Sequence, residues 1–509
     1  MKRFYEILPA ALAWATILGM FAVSRWAPTF AAVFIILFDI YWFLKTIYLS
    51  FHLRATFQSM KKNLAVDWIA RLEKDFRRDP NDPRLAIGDW QSIYHLVIFP
   101  MHREPYEVAH ESFARLAEAN YPKDKLFVVL SVEESGGEEA KATGQRLERE
   151  FGNAFGKFLL TFHPSGLAGE IPGKGANDAW AAKEAKRLLI DPAHIAYDKV
   201  LVSVFDIDTQ VFPEYFGRLT HAFLEAPDRL RAVYQPIPLF TNNIFDAPAL
   251  ARVVSFSSTF WQMMQQARPE RLTTFSSQSL PFQALVDIGF WHKDVVSEDS
   301  RIFWQGYLHY HGDFRVVPLE YPVSMDANAA PTLWQTVKNL YRQQRRWAWG
   351  VENTPYLLEG FRTDPKIPRR KKWYWASVDL EGRHSWATNS LLIFALGWLP
   401  VFMGGTEFND TLLSYNLPHL TRLIVGLSMI GIATSAVLAL LLLPPKPNQF
   451  GKHKYFVYLL QWLLIPVTLI TLGSFPALDA QTRLALGGKW RLGFWTTPKG
   501  RQKKPMTND

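Results

Sequence analysis

The 509-residue chain contains no cysteine. That excludes disulfides, thiolate nucleophiles and cysteine-ligated zinc, and it leaves the compartment open. Charge is also sparse. Asp, Glu, Lys and Arg make up only 20% of the residues, against 49% hydrophobic and 15% aromatic. No internal repeat is visible, so the chain is not a repeat array. What it does have is length, too much for one ordinary core, and a net charge of +9. A basic balance can serve nucleic acid. Here Lys and Arg cluster beside apolar stretches, which favours anionic lipid headgroups and cytoplasmic loops and speaks against a nucleic-acid partner.

Two apolar stretches open the chain, at 7–23 and 30–51, each near the roughly 20 residues that cross a bilayer. A cleaved signal peptide fits poorly, because the second stretch follows at once without a small-residue cleavage site. Asp39 lies inside the second. Three further stretches follow a long polar region, at 386–403, 423–443 and 455–472. The link 404–420 carries no Lys or Arg, whereas 362–383, 446–454 and both chain ends are basic. The positive-inside rule then puts the polar region and both ends in the cytoplasm. Five simple crossings would not allow that. The last stretch is the one expected to be broken or re-entrant, since Pro466 interrupts it and Pro476 follows. The expected organisation is two membrane helices (1–52), a cytoplasmic domain (53–350, with an amphipathic lead-in over 53–90), an interfacial segment (351–385), a second membrane region (386–476) and a basic cytoplasmic tail (477–509). The expected location is a bacterial inner membrane, crossed several times.

The polar region alternates short β-rich runs (95–99, 126–132, 200–205, 231–235, 315–319) with helical patterns such as 105–119 and 213–224. Alternation of this kind predicts an α/β, Rossmann-like domain with a mainly parallel sheet. Ligands of such sheets sit at the carboxyl ends of strands, and the polar motifs fall there. Asp206-Ile207-Asp208 closes the third run. Two carboxylates at i and i+2 can face one hard cation, Mg2+ or Mn2+, although D-x-D in isolation is most often a solvated turn. Glu133-Glu134 closes the second run and can accept from a nucleobase or ribose; alone it reads more often as an acidic loop. Gly173-Lys174-Gly175 is a flexible loop with one cation that can cradle phosphate, and it lacks the spacing of a P-loop. Ser297-Glu298-Asp299 offers a carboxylate for proton transfer, or simply acids at a helix start. Gln343-Gln344-Arg345-Arg346-Trp347 follows, joining a guanidinium fork suited to phosphate with a large ring.

In this order the motifs resemble those of family 2 glycosyltransferases of the GT-A fold, in the membrane-integrated branch that includes cellulose and hyaluronan synthases. The resemblance covers roughly 94–347 and the plan of flanking spans. The first-strand motif is similar to Phe99–Glu104, with Pro100 and Glu104 at the donor. Glu133 and Glu134 stand where the family has paired aspartates. Lys174 to Asn177 resembles its K-A-G-x-x-N loop, Asp206/Asp208 its D-x-D, Ser297-Glu298-Asp299 its T-E-D, and Gln343, Arg346 and Trp347 its Q-x-x-R-W. Phe494-Trp495-Thr496-Thr497-Pro498-Lys499 resembles its F-x-V-T-x-K gating loop, with threonine for valine at Thr496. The acceptor-side segment finds its nearest counterpart in Phe275–Ser279, with Gln278 as the contact.

The resemblance implies a metal-dependent, inverting transfer from a nucleotide-diphosphate sugar, expected to be UDP-linked, to a growing polysaccharide. Asp206 and Asp208 would hold Mg2+ or Mn2+. Lys174, Arg346, Thr497 and Lys499 would contact the diphosphate, and Gln343 would also lie on the donor side. Asp299, beside Glu298, would take the acceptor proton, and Trp347 would face the acceptor. The alternatives are transfer of a single sugar to a lipid carrier or, in another class altogether, a non-catalytic membrane scaffold or translocation partner.

Overall fold

A computed structural model describes residues 1–76, 90–445, 451 and 453–498. Within it the polar region forms one eight-stranded sheet, in the order β3-β2-β1-β4-β7-β6-β8-β5. The strands are β1 (Tyr94–Met101), β2 (Leu126–Glu133), β3 (Lys157–His163), β4 (Val200–Val204), β5 (Gln210–Val211), β6 (Ala232–Leu239), β7 (Ser279–Pro281) and β8 (Arg315–Ser324). The half β3-β2-β1-β4 is wholly parallel. β7 then runs antiparallel to both β4 and β6, and β6 and β8 are again parallel. The sheet is therefore more mixed than the alternation predicts, because the reversing strand has only three residues and carries no readable period.

β1, β2 and β4 are near-continuous apolar runs because both faces of the sheet are covered. Val97 and Phe99 pack on one face with Phe113, Val128, Leu201 and Phe216. Leu96 and Ile98 pack on the other with Val129, Ala182, Val202 and Phe303. This is the two-residue alternation of a strand. The register sets Pro100 of β1 beside Ser131 of β2 and Ile98 beside Val204 of β4. The segments after these three strands therefore emerge side by side.

Among the described residues four helical stretches are long and apolar enough to cross a membrane: Lys2–Trp26, Pro28–Leu64, Leu412–Leu441 and Lys454–Leu486. A fifth candidate is the pair Arg369–Phe394 and Leu396–Met403, bent by 51°. That bend falls in the third apolar stretch. At Ala395 φ reaches −123° and ends the first helix of the pair. In the last helical run Pro466 follows closely on the 3-10 turn Gln461–Leu464, and Pro476 closely on the turn Ile470–Ser474. The intervening turn Ile470–Ser474 is a π-helix, which absorbs the irregularity.

The helix Pro28–Leu64 does not stop at the expected boundary at 52. It runs on beneath the sheet, where Ser59 Oγ donates to Glu320 Oε2 at 2.6 Å and Asn63 Nδ2 donates to the Glu320 carbonyl at 3.0 Å. Leu53, Phe57 and Met60 join Ile237, Leu239 and Phe260 in a shared core. The lead-in is completed by the helix Trp68–Asp75; Arg77 and Arg78 lie outside the described residues.

Candidate functional site

Lys174 is the first residue of the helix Lys174–Ala185 and follows Gly173, whose φ of +151° lies outside the range ordinary residues adopt. Its side chain turns inward. Nζ lies 2.8 Å from Asp299 Oδ1, 2.9 Å from Asp206 Oδ1 and 4.0 Å from Glu298 Oε1. Gly175 is what allows this approach. A Cβ there would stand 2.9 Å from Glu298 Cβ and 3.0 Å from the His292 carbonyl. Asn177 fixes the helix to the sheet by donating from Nδ2 to the Ser131 carbonyl at 2.9 Å and accepting at Oδ1 from Ser131 Oγ at 2.5 Å.

The electrostatics are those of one cation among acids. Burial alone would push the Lys174 ammonium down, but the charges of Asp206 and Asp299 outweigh it and hold its pKa well above the usual range. Glu298 is 1% exposed, and neither of its carboxylate oxygens has a hydrogen-bond partner. Burial, with the neighbouring charge of Asp299, lifts it to about 8. Asp178, one turn beyond Lys174, is likewise buried with both oxygens unpartnered, and burial raises it well above the carboxylate range. The sequence reading missed Asp178, although its i+4 spacing from Lys174 places the two on one helix face.

The two aspartates of D-x-D face different neighbours. Asp206 meets Lys174, and its Oδ2 accepts from Ser276 Oγ at 2.8 Å. Asp208 is buried toward the end of β8, where its Oδ2 accepts from the Asp326 amide at 3.0 Å. Asn242 Nδ2 joins the Asp208 carbonyl, at 2.8 Å, to Asp326 Oδ1, at 3.0 Å. No sequence pattern marks Ser276 or Asp326, since loop residues bear no periodicity. Among the described residues no three His, Asp or Glu side chains converge to cage a metal.

Glu133 and Glu134 open at the rim beside the β1 end. Glu133 Oε2 accepts from Ser135 Oγ at 3.1 Å and Glu134 Oε2 from the Ser165 amide at 3.3 Å. Glu104 is occupied locally, taking the amides of His102 and Arg103 at 2.7 and 3.1 Å. Pro100 lies within β1. Gln278 is fully buried under the sheet's reversal, its amide without a partner, so it faces no solvent.

The helix Leu333–Ala348 closes the site. Gln343 Oε1 accepts from Asn328 Nδ2 at 3.4 Å. Arg346 has a buried Nε without a partner and lies 5.2 Å from the Phe494 ring centre. Trp347 packs 6.0 Å from Phe240. The C-terminal segment is drawn in over this helix. Arg342 lies 5.6 Å from the Trp495 ring, and Phe494 abuts Gly173, where a Cβ would come within 2.5 Å of its ring. Thr497 is buried, its hydroxyl without a partner. Lys499 lies outside the described residues. The structure thus brings together Lys174, Asp206, Glu298, Asp299, Arg346 and the Phe494 segment. It leaves Glu104 and Gln278 engaged or enclosed elsewhere.

No protein-family model matches the chain, and no curated protein matches it. Among solved structures it is similar to the mannosyltransferase PcManGT from Pyrobaculum calidifontis, in complex with GDP-Man and Mn2+. The identity there is 15%, the TM-score 0.39, and the coverage 83% of this chain and 99% of that one. It is also similar to S. aureus TarS 1-349 in complex with UDP-GlcNAc, at 14% identity and a TM-score of 0.34, over 68% of this chain and 90% of that one. At these scores the likenesses add nothing to the residue roles.

Proposed function

We propose that the chain is a membrane-embedded inverting glycosyltransferase. It moves a sugar from a nucleotide-diphosphate donor onto a growing polysaccharide, one unit after another, with its catalytic domain on the cytoplasmic side. The observation that carries this reading is the position of the Lys174 ammonium, within 3 Å of both Asp206 and Asp299. A cation suited to phosphate, a carboxylate suited to a metal and a carboxylate suited to a proton meet at one point, at the carboxyl ends of the strands.

In this mechanism the acceptor hydroxyl oxygen attacks the anomeric carbon from the face opposite the diphosphate. The new C–O bond forms as the bond to the diphosphate breaks. Asp299 receives the hydroxyl proton. Lys174 and Arg346 stabilise the charge that gathers on the leaving diphosphate. An incoming diphosphate competes with Asp299 for Lys174, so donor binding and release of the base occur together. Trp347 lines the acceptor side, and the segment around Thr497 covers the donor. Asp206 and Asp208 would hold a divalent cation once Asp206 Oδ1 exchanges the Lys174 ammonium for it. Mg2+ needs only one or two carboxylates when phosphates and water complete its shell, so the lack of a three-residue cage is no obstacle. When bound, it would neutralise the diphosphate.

The test is incubation of the purified protein in lipid with radiolabelled UDP-glucose, UDP-N-acetylglucosamine and GDP-mannose, each with Mg2+ or Mn2+. High-mass product supports processive transfer. A single lipid-linked sugar supports the one-step alternative. No transfer or donor hydrolysis, together with no binding of UDP or GDP, refutes an enzyme and favours a scaffold.

A further inference from the structure

Ser297 stands at the start of the helix Glu298–His309, where a serine ordinarily caps its own helix. It makes no such bond. Its hydroxyl donates instead to Glu352 Oε1 at 2.7 Å, and the same oxygen accepts the amides of Ser297 at 2.8 Å and Val296 at 2.9 Å. The other oxygen, Oε2, accepts Trp349 Nε1 at 3.0 Å. One carboxylate therefore takes four donors, three from the segment that leads into Glu298-Asp299 and one from the end of the Q-x-x-R-W helix. Asn353 repeats the bridge. Its Oδ1 accepts Arg301 Nε at 2.5 Å and its Nδ2 donates to Ser300 Oγ at 2.8 Å. Val296, Trp349, Ala348 and Leu484 pack around this clamp, with Phe494 against them.

Resting on the glycosyltransferase reading, we propose that Glu352 is a positioning residue. It locks the Asp299 segment and the Arg346 helix into one body, so that the proton acceptor and the diphosphate-facing guanidinium keep a fixed separation. Both Glu352 oxygens are taken by these protein donors. Charge-assisted bonds from backbone amides to a carboxylate are among the stronger ones available. Without them the segment 295–299 has no cap of its own. Misplacing a reacting group by about 1 Å costs on the order of 10²-fold in rate.

The test compares Glu352→Ala and Glu352→Gln in the full-length protein. Glutamine keeps one accepting oxygen and the shape, so it holds the segment in part. Hydrogen–deuterium exchange across 295–301 is expected to rise strongly in the alanine variant and less in the glutamine variant, while exchange across 174–185 stays as in wild type; this measurement needs no donor. With whichever of the three sugar nucleotides the wild type uses, kcat is expected to fall about 10²-fold in the alanine variant and less in the glutamine variant. KM for the donor and the affinity for UDP or GDP are expected to stay within about twofold. Unchanged exchange over 295–301 overturns the proposal, as does an unchanged kcat in both variants or a loss of nucleotide affinity in proportion to kcat. If the alanine variant fails to fold, the glutamine variant decides by the same criteria. Asp299→Asn serves as the control: full turnover in that variant refutes the reading of the site, and the exchange result still judges the clamp.

Discussion

Replacing Lys174 with methionine keeps the unbranched apolar stem and removes the charged end from among Asp178, Asp206, Glu298 and Asp299. At an effective dielectric of about 20, each contact near 2.8–2.9 Å is worth ~6 kcal/mol before the cost of removing the charges from water. The net effect of deleting one partner of a buried pair is about 3–5 kcal/mol, a large share of the roughly 5–15 kcal/mol that holds a folded protein together. The variant should therefore unfold at lower temperature, and added Mn2+ should restore part of the loss by replacing the missing positive charge. If Lys174 also serves the diphosphate, the lost charged hydrogen bond is worth about 1.5–3 kcal/mol, so UDP or GDP should bind roughly 10- to 100-fold more weakly in the presence of metal. Differential scanning fluorimetry in detergent, with and without Mn2+, and calorimetric titration of the nucleotides provide the two readings. Unchanged nucleotide affinity would refute the diphosphate role. Unchanged stability would refute the electrostatic account of the cluster.

Three further outcomes follow from the same geometry. Asp299→Asn is expected to lower kcat by about 10²–10⁴-fold while nucleotide affinity is retained, as single-turnover assays with bound donor will show. Burial and the charge of Asp299 raise Glu298 to about 8, so the folded protein holds a proton that the unfolded chain has released above about pH 4.5. This contribution to stability is full below that pH and is lost as pH rises through about 8. The stability of Glu298→Gln relative to wild type should therefore grow between those limits and then level off; denaturant melts at pH 5, 6.5 and 8.5 will check it. Gly175→Ala forces a Cβ to within 2.9 Å of Glu298 Cβ and 3.0 Å of a carbonyl. It should destabilise by about 1–3 kcal/mol and, in steady-state assays, reduce turnover through the displaced Glu298-Asp299 segment.

The strands at the core of the sheet were legible because burial on both faces writes them as plain apolar runs. The runs at 95–99 and 126–132 fall within observed strands, and 200–205 overruns β4 by one residue. β3, β5 and β7 were not legible. β3 lies at the sheet's end, and β5 and β7, of two and three residues, are too short to carry a period. For the site, the order of the motifs was readable and their meeting was not. Lys174 and Asp299 are 125 residues apart, and only the folded sheet brings them together. Asp178 was passed over because an acid one turn along a helix usually faces water. The expected break in the last apolar stretch was placed by counting prolines. A proline's effect depends on its position in the turn, and both Pro466 and Pro476 follow a departure from the α-helical pattern.

The helix Pro28–Leu64 has a consequence for how the catalytic domain is mounted. Its 37 residues form one rod, about 55 Å long at 1.5 Å per residue. The rod ends bonded to Glu320 of β8, and β8 leads on to Asp326, which anchors Asp208. The helix that contains the second apolar stretch thus packs directly against the sheet through its own last turns. With the first half of the rod in a bilayer, the height of the Asp206–Asp299 cluster above the membrane is a fixed length of helix. A tilt of the rod in a bilayer would then be expected to displace the sheet with it.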